Sequence, residues 1–363
     1  MRELSALFLI VSCVLAAHAG PAPVRPQGKG FSAWPEADLL FRSDPRWTGG
    51  DAAYSVDLGR GRTLWLFGDS FIDPAGSGKR AGADMPRNTI AIQKGPDPST
   101  AKMSFYWKTA GGKPSAFFPA QGEAWLWPAH GIRMGKSLLL FFMKILPDAT
   151  DGMGFKVAGS AAAMVDNPDA EPSQWRVRQI ETPRDFPDLP IGSAVLKDDG
   201  HLYAFCPRGS GHQVILARWP IDQAAAGLLS APQWWAGDGV WTSASDLAGQ
   251  GRSPAALFNG ATEFSVHRDK ASGRFIEVQT QGFGAADVVL RRADRPEGPW
   301  SAPEKIYRPT ESDRPGILVY AGKAHAHLRG GLSATYATNV MDPKILEQDL
   351  GLYFPRFMRL APE

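Results

Sequence analysis

Two aspartates at the open end of a hairpin are the residues of this chain best placed to do chemistry. Gly49-Gly50-Asp51-Ala52-Ala53-Tyr54-Ser55-Val56-Asp57-Leu58 and Arg62-Thr63-Leu64-Trp65-Leu66-Phe67-Gly68-Asp69-Ser70 read as two β-strands joined by Gly59-Arg60-Gly61. With a three-residue loop Leu58 pairs with Arg62, and Asp51 then lies opposite Asp69. Directly opposed residues hold their Cβ atoms ~4.5–5.5 Å apart. Two carboxylates at such range are the raw material of glycoside hydrolysis, which needs an acid and a base or nucleophile. A four-residue loop would slip the register by one and turn the aspartates to opposite faces. Asp57, at the loop end, reads as a turn residue.

The elements that must position this pair recur along the chain. Short apolar runs bounded by Gly, Pro, Asp and Asn read as strands and turns. They group into units beginning near Asp51, Glu123, Ile191, Thr262 and Leu318, about seventy residues apart with the last shorter. The only helical patterns are brief, at Ile221 to Leu229 and Pro343 to Leu350. Four strands per unit at near-constant spacing predicts an all-β fold, a five-bladed β-propeller of four-stranded antiparallel blades around a central channel. Phe31 to Trp47 would close the ring by adding an outer strand to the last blade. The innermost strands then start at one mouth of the channel and bring Asp51, Glu123, Ser193, Glu263 and Tyr320 there, with Asp69 returning to the same rim. Asp51 is the candidate nucleophile or base and Asp69 its partner. Glu263 is either the acid or the partner of an arginine such as Arg268, and Glu123 is structural or orients substrate. Asn88, Trp127, His130 and His325 are candidate substrate contacts, since an amide offers both donor and acceptor to sugar hydroxyls.

Several pieces resemble a family of five-bladed propellers, formerly uncharacterised, that includes endo-D-arabinanases. They are Trp65-Leu66-Phe67-Gly68-Asp69, Arg87-Asn88-Thr89-Ile90, Trp127-Pro128, Thr262-Glu263-Phe264-Ser265-Val266, Pro296-Glu297-Gly298-Pro299-Trp300, Tyr320-Ala321-Gly322-Lys323-Ala324-His325 and Tyr336-Ala337-Thr338-Asn339. The Gly-Pro-Trp turn is common to sugar-cleaving propellers; the Trp-x-Phe-Gly-Asp strand with Asp51 ahead of it is more specific. The resemblance implies a glycosidase acting on furanose-rich polysaccharide or oligosaccharide. Two rivals remain. A sugar-binding propeller without catalysis would keep the tryptophans. Phe67-Gly68-Asp69-Ser70 also resembles the first block of Gly-Asp-Ser-type esterases, with Ser70 as nucleophile. That family's Asp-x-x-His pair falls here at Asp198 to His201 in mid-chain, its Gly-x-Asn-Asp block is missing, and its alternating helices and parallel strands are not in the pattern.

Composition narrows the partners. The 363 residues carry 39 Lys+Arg against 37 Asp+Glu, a net charge of +2, with no basic stripe for nucleic acid. Arg2, the apolar run Ala6 to Ala17 and Ala17-His18-Ala19 match a signal peptide cleaved after Ala19, which predicts a periplasmic or secreted protein. The run is too short for a retained membrane span. The expected organisation is a signal segment 1–19, a flexible segment 20–30 and one domain over 31–363, acting as a monomer. Ile10-Val11-Ser12-Cys13 only loosely matches a lipidation box. Cys206, the other of the two cysteines, reads as a buried apolar residue in a strand. No cofactor motif is present and no cluster has metal-ligand spacing, so neither cofactor nor catalytic metal is predicted. His325-x-His327 would permit a metal without requiring one.

Overall fold

A computed structural model of the chain describes residues 30–150 and 153–360. The predicted signal segment, Cys13 and most of the predicted flexible segment lie outside the described residues. Five antiparallel sheets of four or more strands follow one another along the chain, with two-stranded ladders of Trp47–Gly50 on Ser70–Ile72 and Lys108–Ala110 on Lys113–Ser115 beside them. The first contains Tyr54–Gly59, Arg62–Phe67, Thr89–Lys94 and Lys102–Tyr106. The second contains Trp125–Met134, Ser137–Pro147, Phe155–Val165 and Val177–Ile180. The third begins Ala194–Asp198, His201–Arg208 and Gln213–Pro220, and adds short strands at Gln233–Trp235, Trp241–Thr242 and Phe258–Asn259. The fourth contains Phe264–Arg268, Phe275–Gln281, Asp287–Ala293 and Glu304–Tyr307. The fifth is built from Ile317–Ala324, Ser333–Val340 and Arg356–Leu360, and its outer strand is Phe31–Ala33 from the other end of the chain. The first strand of each sheet starts within three residues of the predicted unit starts.

Apolar side chains pack between consecutive sheets. Leu66, Ile92 and Leu140 join the first to the second, and Phe141, Ala204 and Ile215 the second to the third. Phe205 with Val266, then Val278 with Tyr336, continue the series. Trp34, Phe41, Trp65 and Phe357 join the fifth sheet back to the first. Trp34, Trp47, Trp65, Trp219 and Trp234 are fully buried, so nearly half of the 12 tryptophans fill core rather than face solvent. Each such ring removes a large apolar area from water. Helices are short: Ile221–Ala226 and Pro343–Gln348 match expectation, while Pro35–Asp38 and Ala244–Gly249 had no periodic signal. Among the described residues no helix is long and apolar enough to cross a membrane.

The first hairpin departs from expectation in its loop but not in its register. Arg60 and Gly61 form the turn with φ of 55° and 68°, the left-handed pair that two-residue hairpins favour. Gly59 rather than Leu58 therefore pairs with Arg62. A bulge at Leu58 absorbs the extra residue, and Tyr54 still pairs with Leu66. Cys206 is buried in its strand, and burial pushes its thiol up to about 12.

Candidate active site

Asp51 and Asp69 are held side by side by pairing on both flanks. Gly50 pairs with Ser70 below them, and Tyr54 with Leu66 above. The ladder itself is interrupted between these points. Ala52 and Ala53 take φ of 63° and 54°, a left-handed kink that lifts Asp51 out of the strand. Its carbonyl still accepts from Ala53 N at 2.8 Å and from Gly68 N at 3.3 Å. Non-glycine residues in this conformation cost roughly 1–3 kcal/mol each, and such strain clusters at functional sites. A Cβ on Gly68 would collide with Asp51 Oδ1, which explains the glycine of the Trp-x-Phe-Gly-Asp strand.

Partners come from elsewhere in the chain. Tyr320 Oη donates to Asp51 Oδ2 at 2.8 Å, and Asn339 Nδ2 donates to the same phenol at 3.4 Å. Asp69 Oδ2 accepts from Arg87 Nη1 at 2.9 Å and Asp69 Oδ1 from Trp127 Nε1 at 2.8 Å. Arg87 in turn lies 4.5 Å from the Trp125 ring centroid. Glu263 is ion-paired with Lys323, Nζ to Oε2 at 2.8 Å. Lys323 is 1% exposed, also donates to Ala321 O, and stands over the Tyr54 ring. Lys323 reaches Glu263 because Ala321, at φ 57°, and Gly322 form a bulge in the strand.

The charges are felt across the site. Burial, then the negative charges of Glu263 and Asp69, pushes the Asp51 carboxyl up to about 7, against the Tyr320 hydrogen bond and Lys323. Burial also raises Asp69, opposed by Arg87 and Trp127. Burial lowers Lys323, opposed by Glu263. Tyr353, itself at φ 59°, stands beside the two aspartates; burial and their charges push its phenol well above its ordinary value.

The sequence candidates thus divide. Asp51, Asp69, Glu263, Tyr320 and Trp127 come together. Glu123 is exposed, and among the described residues no hydrogen bond joins it to the others. Asn88 is buried, with Nδ2 donating to Phe118 O and Leu126 O and Oδ1 accepting from Phe118 N, so its amide ties two loops together. His130 Nδ1 accepts from Val195 N at 3.1 Å, so Nε2 carries the proton and donates to Ser55 O at 3.3 Å. Its imidazole is lowered to about 4 by burial. His325 is buried between Ser55 and Thr335 hydroxyls, 2.6 and 2.8 Å away, and His327 meets Thr63. Arg268 pairs with Asp198 instead of Glu263. Arg87, Lys323 and Tyr353 were not singled out in the sequence. Tyr353 and Lys323 lie hundreds of residues from Asp51, and no local pattern ties either of them to it.

Ser70 is fully buried, donates to Gly68 O at 2.9 Å and meets Thr89 Oγ1 at 2.8 Å. Among the described residues no histidine contacts it, so it lacks the base a serine nucleophile needs. Ser70→Ala is therefore expected to leave hydrolytic activity within about twofold and to lower stability by ~1 kcal/mol, the scale of one neutral hydrogen bond. Activity assays and denaturant melts of the variant check both.

A Bacteroides ovatus protein provisionally described as a hydrolase shares the fold, with a TM-score of 0.69 at 18% identity over 90% of this chain and 89% of that one. An endo-arabinase from Bacteroides thetaiotaomicron aligns at TM-score 0.48 and 15% identity, covering 87% of this chain and 95% of its own. An α-L-arabinofuranosidase from Clostridium thermocellum aligns at 0.47 and 14%, covering 86% and 94%. The sequence matches no curated protein. Residues 36–362 match a family model described as a domain of unknown function, DUF5005.

Proposed function

Because the chain belongs to the DUF5005 family, whose description assigns no activity, we propose its function from the rim itself: it is a glycoside hydrolase of furanose-rich polysaccharide. The five sheets are the blades of a closed propeller, residues 31–363 are its one domain, and the protein works as a monomer outside the cytoplasm after loss of residues 1–19. The observation that carries this reading is the convergence of three carboxylates: Asp51 on Tyr320, Glu263 on Lys323 of the same strand, and Asp69 on Arg87 and Trp127.

The trio assigns roles by environment. Glu263 and Asp69 each hold a cation, Lys323 and Arg87, and supply negative charge. Among the described residues the Asp51 carboxyl has only phenol donors, and burial with its negative neighbours brings its proton exchange up to about 7. An acid or base is most effective when its pKa lies near the working pH. Asp51 is thus the carboxyl that gains and loses the proton as the glycosidic bond breaks, while the other two balance the positive charge that develops on the sugar. Trp127, locked to Asp69, offers an apolar face to the ring at the same rim.

Incubation with arabinan, arabinogalactan, xylan and sialylated glycans, with chromatography of the products, tests the reading. Release of arabinose-containing fragments supports it, and no release from any of the four overturns it. The electrostatic part has its own readout. Glu263→Gln removes a negative charge facing Asp51 and frees Lys323, and both changes favour the ionised form. The Asp51 titration, followed by carboxyl carbon-13 NMR, is expected to move from about 7 in the parent to lower pH in this variant. An unmoved titration would mean that Glu263 does not contribute and that burial and Asp69 set it.

A further inference from the structure

Glu263 and Tyr320 also form one wall of a cavity of about 670 Å³ that runs outward over the fourth sheet. Its floor carries Gln279, 2% exposed, whose Oε1 is buried without a hydrogen-bond partner. Gly260 lies beside that oxygen, and a Cβ there would strike Val214. The charged neighbour Arg291 is already committed, Nη1 to Glu277 at 2.8 Å and Nη2 to Asn259 O at 3.1 Å. At the mouth stands Phe283, 61% exposed and 5.9 Å from the Tyr320 ring centroid. Phe283 sits between Gly282 and Gly284, and Gly284 is bridged to Val319, so the exposed ring rests on an anchored turn.

A buried acceptor left without a donor costs about 1–3 kcal/mol, which a ligand hydroxyl would recover. An exposed aromatic ring at the lip of a pocket with a few convergent polar groups is the usual make-up of a ligand site. Resting on the glycoside-cleaving reading above, we propose that this cavity is a subsite for a second, neutral sugar ring of the same chain. The ring lies on Phe283 and one of its hydroxyls donates to Gln279 Oε1. The substrate is therefore a chain of sugars extending from the cleavage point toward the fourth sheet, not a single terminal sugar on an arbitrary group. Neutrality follows from the wall: the acceptor is an amide, and the cation within reach is paired.

Calorimetric binding of arabinofuranosyl oligosaccharides, from disaccharide to hexasaccharide, tests the subsite apart from catalysis. In the parent, affinity is expected to rise with length. Phe283→Ala and Gln279→Leu are each expected to weaken the tetrasaccharide about tenfold and to flatten the length dependence, ~1.4 kcal/mol on a logarithmic scale. Gln279→Leu keeps the buried volume and removes the orphan oxygen, so a folding defect is separated by its melting curve. Cleavage of the chains by the parent together with unchanged tetrasaccharide affinity in both variants overturns the subsite and leaves the glycosidase reading intact. Length-dependent binding lost in both variants but without any cleavage supports the subsite and overturns catalysis. Absence of oligosaccharide binding in the parent overturns the subsite outright.

Discussion

Asp51→Asn is expected to lower glycoside cleavage by about 10²–10⁴-fold while the protein stays folded and still binds sugar. The amide has the shape of the carboxyl and can still accept from Tyr320, whose hydroxyl lies 2.8 Å from Oδ2. It cannot exchange a proton, so the loss falls on the transition state more than on the ground state: kcat drops and KM changes little. Asp69→Asn and Glu263→Gln are harsher, because each leaves a cation without its partner. Lys323 is buried, and removing the carboxylate it is ion-paired with is the costly way to break such a pair. Asp51→Asn therefore isolates the chemistry best.

The same variant has an independent signature in stability. The Asp51 carboxyl is raised in the folded protein from 3.8 to about 7, so the fold binds its proton more tightly than the unfolded chain does. Its contribution is fully present at low pH and is lost as pH rises through about 7. Asn has no such proton to lose. Asp51→Asn is expected to melt like the parent in acid and higher than the parent above neutral pH. Thermal scans across that range check it. A variant that loses activity and also melts lower at alkaline pH would show that Asp51 supports the fold as an anion, which contradicts the role assigned to it.

How much of this was legible in the sequence follows physical lines. Strand starts were, because a half-buried strand writes its period into the chain, and five units stood out. Asp51, Glu263 and Tyr320 were legible as one rim because residues at strand starts converge there, with Asp69 returning to it at a strand end; Trp127 was legible only as a substrate contact, and Glu123, expected at the same rim, is exposed apart from them. The way Asp51 reaches its place was not legible. It depends on Ala52 and Ala53 in a left-handed conformation, which alanine does not advertise, and on a glycine at 68 whose need is steric and non-local. The polar residues misled where their partners are backbone groups. Asn88 has the chemistry to bind sugar, but its donors and acceptor are consumed by Phe118 and Leu126. His325 is consumed by two hydroxyls, Ser55 from the far end of the chain and Thr335 from the next strand. Residue type tells what a side chain can do; only the neighbours tell whether that capacity is still free.

Arg80 illustrates the same point with the largest expected effect on stability. It lies in a loop with no strand or helix pattern, yet it is 1% exposed. Its Nε donates to Thr48 O at 2.8 Å and its Nη1 to Leu346 O at 2.7 Å and Asp349 O at 3.1 Å, while Nη2 donates to Leu352 O. Burial lowers its pKa to about 10, with Arg42 adding to the effect, so it remains a cation at neutral pH. One guanidinium thus ties the strand before Asp51 to the chain segment that carries Tyr353. Gly50 N donates to Tyr353 O at 2.8 Å in the same knot, and a Cβ on Gly49 would strike that carbonyl and Arg80 itself. Arg80→Met keeps the apolar stem and removes every donor, taking the guanidinium away from four carbonyls in two segments. Hydrogen bonds to a charged donor contribute roughly 1.5–3 kcal/mol each, partly offset by no longer burying the cation, so a loss of about 3–5 kcal/mol is expected. Arg80→Lys should recover only a fraction, since one ammonium cannot reach acceptors on opposite sides of a planar fork. Denaturant melts read the stability, and the cleavage rate of the surviving folded protein reads the second consequence: with the Tyr353 segment loosened beside Asp51, activity should fall below the parent even under conditions where the variant is folded. A shift of less than ~1 kcal/mol in Arg80→Met would mean that the segment is fixed by its apolar contacts, and that the guanidinium is a passenger in the knot.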